Sequence, residues 1–83
     1  MRSPSQPITL TVEQLTELSA NLATMRHDIN NNLSLIVAAV ELLRKKPHMA
    51  ERMLATLTEQ PPKITQTIGK FSEKFDFLLG ISR

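Results

Sequence analysis

The chain has no cysteine and two histidines, so few of its side chains offer chemistry at neutral pH. Thiolate nucleophiles, thiolate metal sites and disulfides are excluded. His27 and His48 lie 21 residues apart, a separation with no metal-ligand spacing. A neutral imidazole near its pKa is nevertheless a competent nucleophile at cell pH, and a neighbouring carboxylate selects its tautomer. His27 has such a neighbour in Asp28, and Asn31 stands four residues on, stacked on the same helical face. His48 follows Pro47 at the boundary between two periodic stretches and reads as a solvated turn residue.

The elements that must carry His27 follow from the apolar spacing. Thr11 is a good N-cap, Gln14 occupies the capping-box position, Leu10 and Leu15 form a hydrophobic staple, and Glu13 suits the positive helix end. Apolar residues then recur at Leu15, Leu18, Leu22, Met25, Ile29, Leu33, Ile36, Val40 and Leu43, a heptad seam with one four-residue stutter around Ile29. Arg44, Lys45 and Lys46 complement the carbonyl end, and Pro47 stops the helix. The spacing predicts a first helix over about residues 12–46. A second seam runs through Met53 or Leu54, Leu57, Ile64, Ile68, Phe71, Phe75 and Leu78, with Phe77 off the line. Pro61 and Pro62 interrupt it, yet Leu57 and Ile64 keep a seven-residue phase across them. A continuous helix over about 48–79, kinked at residues 61–62, preserves that phase where a loop has no reason to. Gly80 is the expected stop.

Two rods of similar length joined by a very short connection predict an all-α antiparallel two-helix hairpin over residues 11–80. Residues 1–10 read as a flexible arm and residues 81–83 as a tail. At 83 residues, one self-contained core is marginal, and with disulfides and metals excluded the economical remedy is a homodimer forming a four-helix bundle. His27 lies two residues from Met25 and from Ile29, so its side chain points directly away from the seam.

The stretch Arg26-His27-Asp28-Ile29-Asn30-Asn31-Asn32 resembles the H-box of sensor histidine kinases, in their dimerisation and histidine-phosphotransfer domain. That pattern is a histidine, an acidic residue, two variable positions and then Asn or Thr, followed by an apolar helical run. The resemblance extends to the hairpin and its expected dimer. It implies that His27 accepts a phosphoryl group and passes it to an aspartate of a response-regulator receiver domain. It also implies that Asp28 orients and polarises the imidazole, and that Asn31 positions a water in members that dephosphorylate the receiver. Many members carry a proline five residues after the histidine; here that position is Asn32.

No glycine-rich or asparagine box accompanies the motif, since the two glycines are Gly69 and Gly80. The resemblance therefore implies no cofactor on this chain, with ATP and Mg²⁺ held by partner domains. The ATP-binding kinase domain acts in cis if the chain is a piece of a longer protein, and in trans otherwise. Leu35, Ala38 and Leu42 fall beside the His27 and Asn31 face, either as a docking groove for the receiver or as part of a wide bundle core.

Composition removes other classes. The longest apolar run, Leu35 to Val40, is far short of the ~20 residues of a membrane helix, and no secretory signal is visible, so a cytoplasmic location is expected. The net charge of +2 comes without a sustained basic tract, Trp or Tyr, which argues against nucleic acid as a partner. A catalytically inert homodimeric adaptor is the alternative function consistent with the same pattern.

Overall fold

The computed structural model describes residues 6–80. Residues 1–5 of the expected arm and the 81–83 tail lie outside the described residues. Helix α1 spans Val12–Lys45, a single 3₁₀ turn takes up Pro47–Met49, and helix α2 spans Ala50–Leu79. The two helices pack along each other as an antiparallel hairpin.

Local chemistry sets each boundary. At the start of α1, the Gln14 amide N–H donates to Thr11 Oγ1 at 3.0 Å and the Thr11 N–H donates to Gln14 Oε1 at 2.8 Å. This reciprocal pair satisfies two of the donors that a helix start leaves open. At the other end, the Lys46 N–H donates to the Leu42 carbonyl at 2.7 Å, and Pro47 begins the 3₁₀ turn. Gly80 closes α2 with φ of 66°, in the left-handed region that costs glycine nothing, and its N–H reaches the carbonyls of Asp76 and Phe77.

Helix α2 runs uninterrupted through Pro61 and Pro62. Neither proline has an amide hydrogen, so the carbonyls of Leu57 and Thr58 receive no donor from the next turn. Both prolines and Thr58 are exposed. Among the described residues, no helix is long and apolar enough to cross a membrane.

The hairpin measures 56 × 24 × 12 Å. Its thin dimension is about one helix diameter, so the hairpin is a single layer with two broad faces. The apolar seam of α1 accordingly splits. Leu18, Met25, Ile36, Ala39 and Leu43 turn inward, while Leu15, Leu22, Leu33 and Val40 are exposed. On α2, Met53 is buried, whereas Leu54 and Ile68 are 55% and 46% exposed. Phe71 and Phe75 meet with ring centroids 5.9 Å apart. Phe77, off the seam, is exposed.

Polar side chains occupy the places the exposed leucines do not fill. Gln60 is 1% exposed. Its Oε1 accepts from Asn32 Nδ2 at 2.8 Å, and its Nε2 donates to the Thr56 carbonyl at 3.0 Å. The Asn32–Gln60 bond joins the two helices at mid-length. Asn32→Ala strands a buried acceptor and is expected to lower stability by about 1–3 kcal/mol, read by urea denaturation. The double variant Asn32→Leu/Gln60→Leu removes both partners and is expected to recover most of that loss. Unchanged stability in Asn32→Ala would show that the bond contributes nothing.

Candidate functional site

The cap at Thr11 and the inward stripe of α1 fix the rotation of that helix, and with it the direction of every side chain around His27. Successive residues turn by about 100°, which puts His27 roughly 140° from the inward-facing Asn32 and 160° from Met25. His27 is exposed, as are Asp28 and Asn31.

Asn31 Nδ2 lies 3.4 Å from His27 Nε2. In that orientation the amide donates to an unprotonated Nε2, leaving the proton of the neutral ring on Nδ1. The motif asparagine therefore touches the ring nitrogen that faces along the helix. Asp28 makes no hydrogen bond to the ring; it lines a groove between α1 and α2 instead.

That groove consists of two adjoining hollows that share Asp28, Thr67 and Lys70. Asn21, Thr24 and Lys74 extend it in one direction, and Asn31, Lys63 and Gln66 in the other. Lys63, Lys70 and Lys74 are separated by seven and four residues, which keeps them within about 40° on one face of α2. Sequence reasoning singled out no residue of this row. Its spacing was visible, but which face of α2 meets Asp28 was not.

The three residues expected to flank the site are placed differently from one another. Leu35 and Ala38 are exposed and Leu42 is half-buried. Ala38 lines a hollow with Asn30, Leu33, Ser34 and Val37 on the outer side of α1. His48 is exposed in the 3₁₀ turn, remote in sequence from His27. Among the described residues no group of His, Cys, Asp or Glu is arranged to hold a metal ion.

In this arrangement the Nε2 lone pair accepts from the Asn31 amide and becomes available to an incoming group only when that amide turns away. Comparison with protein-family models, with curated proteins and with solved structures finds no match for the chain.

The contact between Asn31 and His27 has a spectroscopic consequence. In neutral imidazole form, His27 is expected to favour the Nδ1–H tautomer, and Asn31→Ala is expected to shift the ring towards the Nε2–H form. Ring ¹⁵N chemical shifts above the titration range read this directly; identical tautomer ratios in the two proteins would exclude the interaction in solution.

Proposed function

We propose that the chain is a histidine phosphoacceptor module of a two-component signalling system, acting as a homodimeric four-helix bundle. The observation that carries this reading is the exposed His27 ring with Asn31, four residues on, in contact with Nε2. An inward or hydrogen-bond-saturated imidazole has no free lone pair to offer; this one is released by a single rotation of the Asn31 amide.

In this reading Nε2 attacks the terminal phosphorus of ATP held with Mg²⁺ on a kinase domain. The N–P bond forms as the P–O bond to ADP breaks, and the charge developing on the ring is carried through its Nδ1–H. Asp28, one residue on, supplies the carboxylate that orients and polarises that N–H once its side chain turns from the groove. In the second step a receiver-domain aspartate oxygen attacks phosphorus. The P–N bond then breaks, an acyl phosphate forms and the electron pair returns to Nε2. Most of the acceleration in such transfers comes from positioning and charge neutralisation, which suits a rigid helical display of the nucleophile. Asn31, freed from the ring, is placed to hold a water for receiver dephosphorylation.

The dimer reading is supported by the free apolar face. Leu15, Leu22, Leu33 and Val40 on α1 and Leu54 and Ile68 on α2 are exposed on one side of a hairpin only 12 Å thick. A second hairpin covering that side completes the bundle core. Sedimentation at micromolar concentration is expected to give about twice the 9.3 kDa chain mass. Leu22→Asp, a charge set on that face, is expected to dissociate it. A compact, stable monomer of the unaltered chain would defeat the bundle.

Incubated with a partner kinase domain and ATP, or with a phosphorylated receiver, the chain is expected to acquire an acid-labile, base-stable label. His27→Gln should lose that label while keeping the dimer, and Asp28→Asn should slow its appearance. Asn31→Ala should leave uptake in place and reduce receiver dephosphorylation, and His48→Gln should change neither. Full labelling of His27→Gln, or no labelling of the unaltered chain with any partner, would leave the inert homodimeric adaptor as the better account.

A further inference from the structure

The groove beside Asp28 lies on the opposite side of the hairpin from Leu15, Leu22, Leu33 and Val40, on the flank that also carries Leu35. Around α1, Asp28 and Thr24 fall on one flank of the inward stripe, and Leu22 and Val40 fall on the other. The two faces are therefore independent, and a second copy covering the leucines leaves the groove open.

Its charge is one-sided. Three ammonium groups, Lys63, Lys70 and Lys74, face a single carboxylate, Asp28. None of the three lysines makes an ion pair with a described residue; among those residues the one ion pair is Arg44–Glu41, near the hairpin turn. The lysines rise over about 16 Å of helix, the length of a short acidic segment lying alongside. A second observation points the same way. Asn21 lines the groove next to Lys70 and Lys74, and its Nδ2 is shielded from solvent with no acceptor in reach. An amide donor without a partner gives up no hydrogen bond when an entering acceptor draws it outward.

We propose that this groove docks an acidic protein surface, with Lys63, Lys70 and Lys74 meeting its carboxylates and the Asn21 amide taking one as its acceptor. The proposal rests on the phosphoacceptor reading only for the identity of the partner. A protein that brings a reacting carboxylate to His27 presents negative charge to an anionic phosphoryl group, and a row of ammonium groups alongside offsets that repulsion. Such a row acts mainly on the rate and orientation of encounter, and salt weakens it.

The test uses the full chain labelled with ¹⁵N and a short Glu-Ala-repeat peptide as probe, at low salt, without phosphorylation. The expected result is that the backbone signals of Thr24, Asp28, Gln66, Thr67 and Lys70, and the Asn21 side-chain signal, shift on titration. The triple variant Lys63→Glu/Lys70→Glu/Lys74→Glu is expected to weaken binding by roughly tenfold or more, and Lys45→Glu/Lys46→Glu to leave it within about twofold. If the triple variant loses helicity, Lys70→Ala alone takes its place, with a smaller loss in the same direction. Shifts as large at Arg44–Lys46 as in the groove would overturn the proposal. So would unchanged binding in the charge-reversed protein, or inorganic phosphate reproducing the same shifts at the same concentration. His27→Gln is expected to bind the peptide normally. A chain that labels at His27 but shows no groove shifts defeats this proposal alone, whereas groove shifts in a chain that never labels defeat only the phosphoacceptor reading.

Discussion

The hydrogen bond from Asn32 to Gln60 is the interaction on which the geometry of the site depends. It joins residues 28 positions apart, both polar, one of them fully buried. A bonded polar pair between the helices favours one rotation and one axial register, because a slip strands the buried Gln60 amide. Fixing the rotation of α1 at Asn32 points Met25 and Ile36 inward with it. The same rotation sends His27 to the far side, Asp28 into the groove and Leu33 onto the free face. His27 lies five positions before Asn32, so the interhelical bond and the exposed imidazole share one continuous stretch of helix.

A single layer of two helices also explains an inversion in the distribution of side chains. Gln60 and Asp76 are buried, while leucines on both helices stand half in solvent. Each helix needs two neighbours to cover its apolar surface and the hairpin gives it one. Most of the exposed apolar surface, Leu15, Leu22, Leu33 and Val40 on α1 with Leu54 and Ile68 on α2, falls on one face of the hairpin, while Leu35 and Phe77 fall outside it. One flank of the hairpin is thus mainly apolar, the other carries Asp28 and the lysine row together with Leu35, and the histidine projects between them.

How much of this was legible in the sequence depended on the range of the interaction. The capping box at Thr11 and Gln14, the stop at Pro47 and the glycine at residue 80 are contacts within a few residues, and each was readable from residue types. The passage of α2 through Pro61 and Pro62 was readable because Leu57 and Ile64 hold their phase. The inward positions of Asn21 and Asn32 were not found, although both fall at heptad spacing from Met25. A seam traced through apolar residues alone skips polar members and merges two stripes, so Leu22 and Leu33 were drawn into the same line as Met25. The lysines of the groove could not be assigned, since their meeting with Asp28 depends on how α2 is rotated against α1. That rotation is set by a bond between residues too far apart to leave a local signal.

The two prolines sit one and two residues beyond Gln60, and antiparallel packing brings that turn level with Asn30 and Asn31. The backbone ladder of α2 therefore loses two adjacent rungs beside the Asn32–Gln60 bond, about one helical turn from the level of His27, while α1 beside it is intact. Regarded as a pair of beams, the hairpin has one stiff member and one with a soft turn at mid-span. Two missing backbone hydrogen bonds make this turn the place where α2 offers least resistance to bending. His27 thus lies on the helix with the unbroken ladder, and the lysine row begins at residue 63, immediately past the interrupted turn of the other.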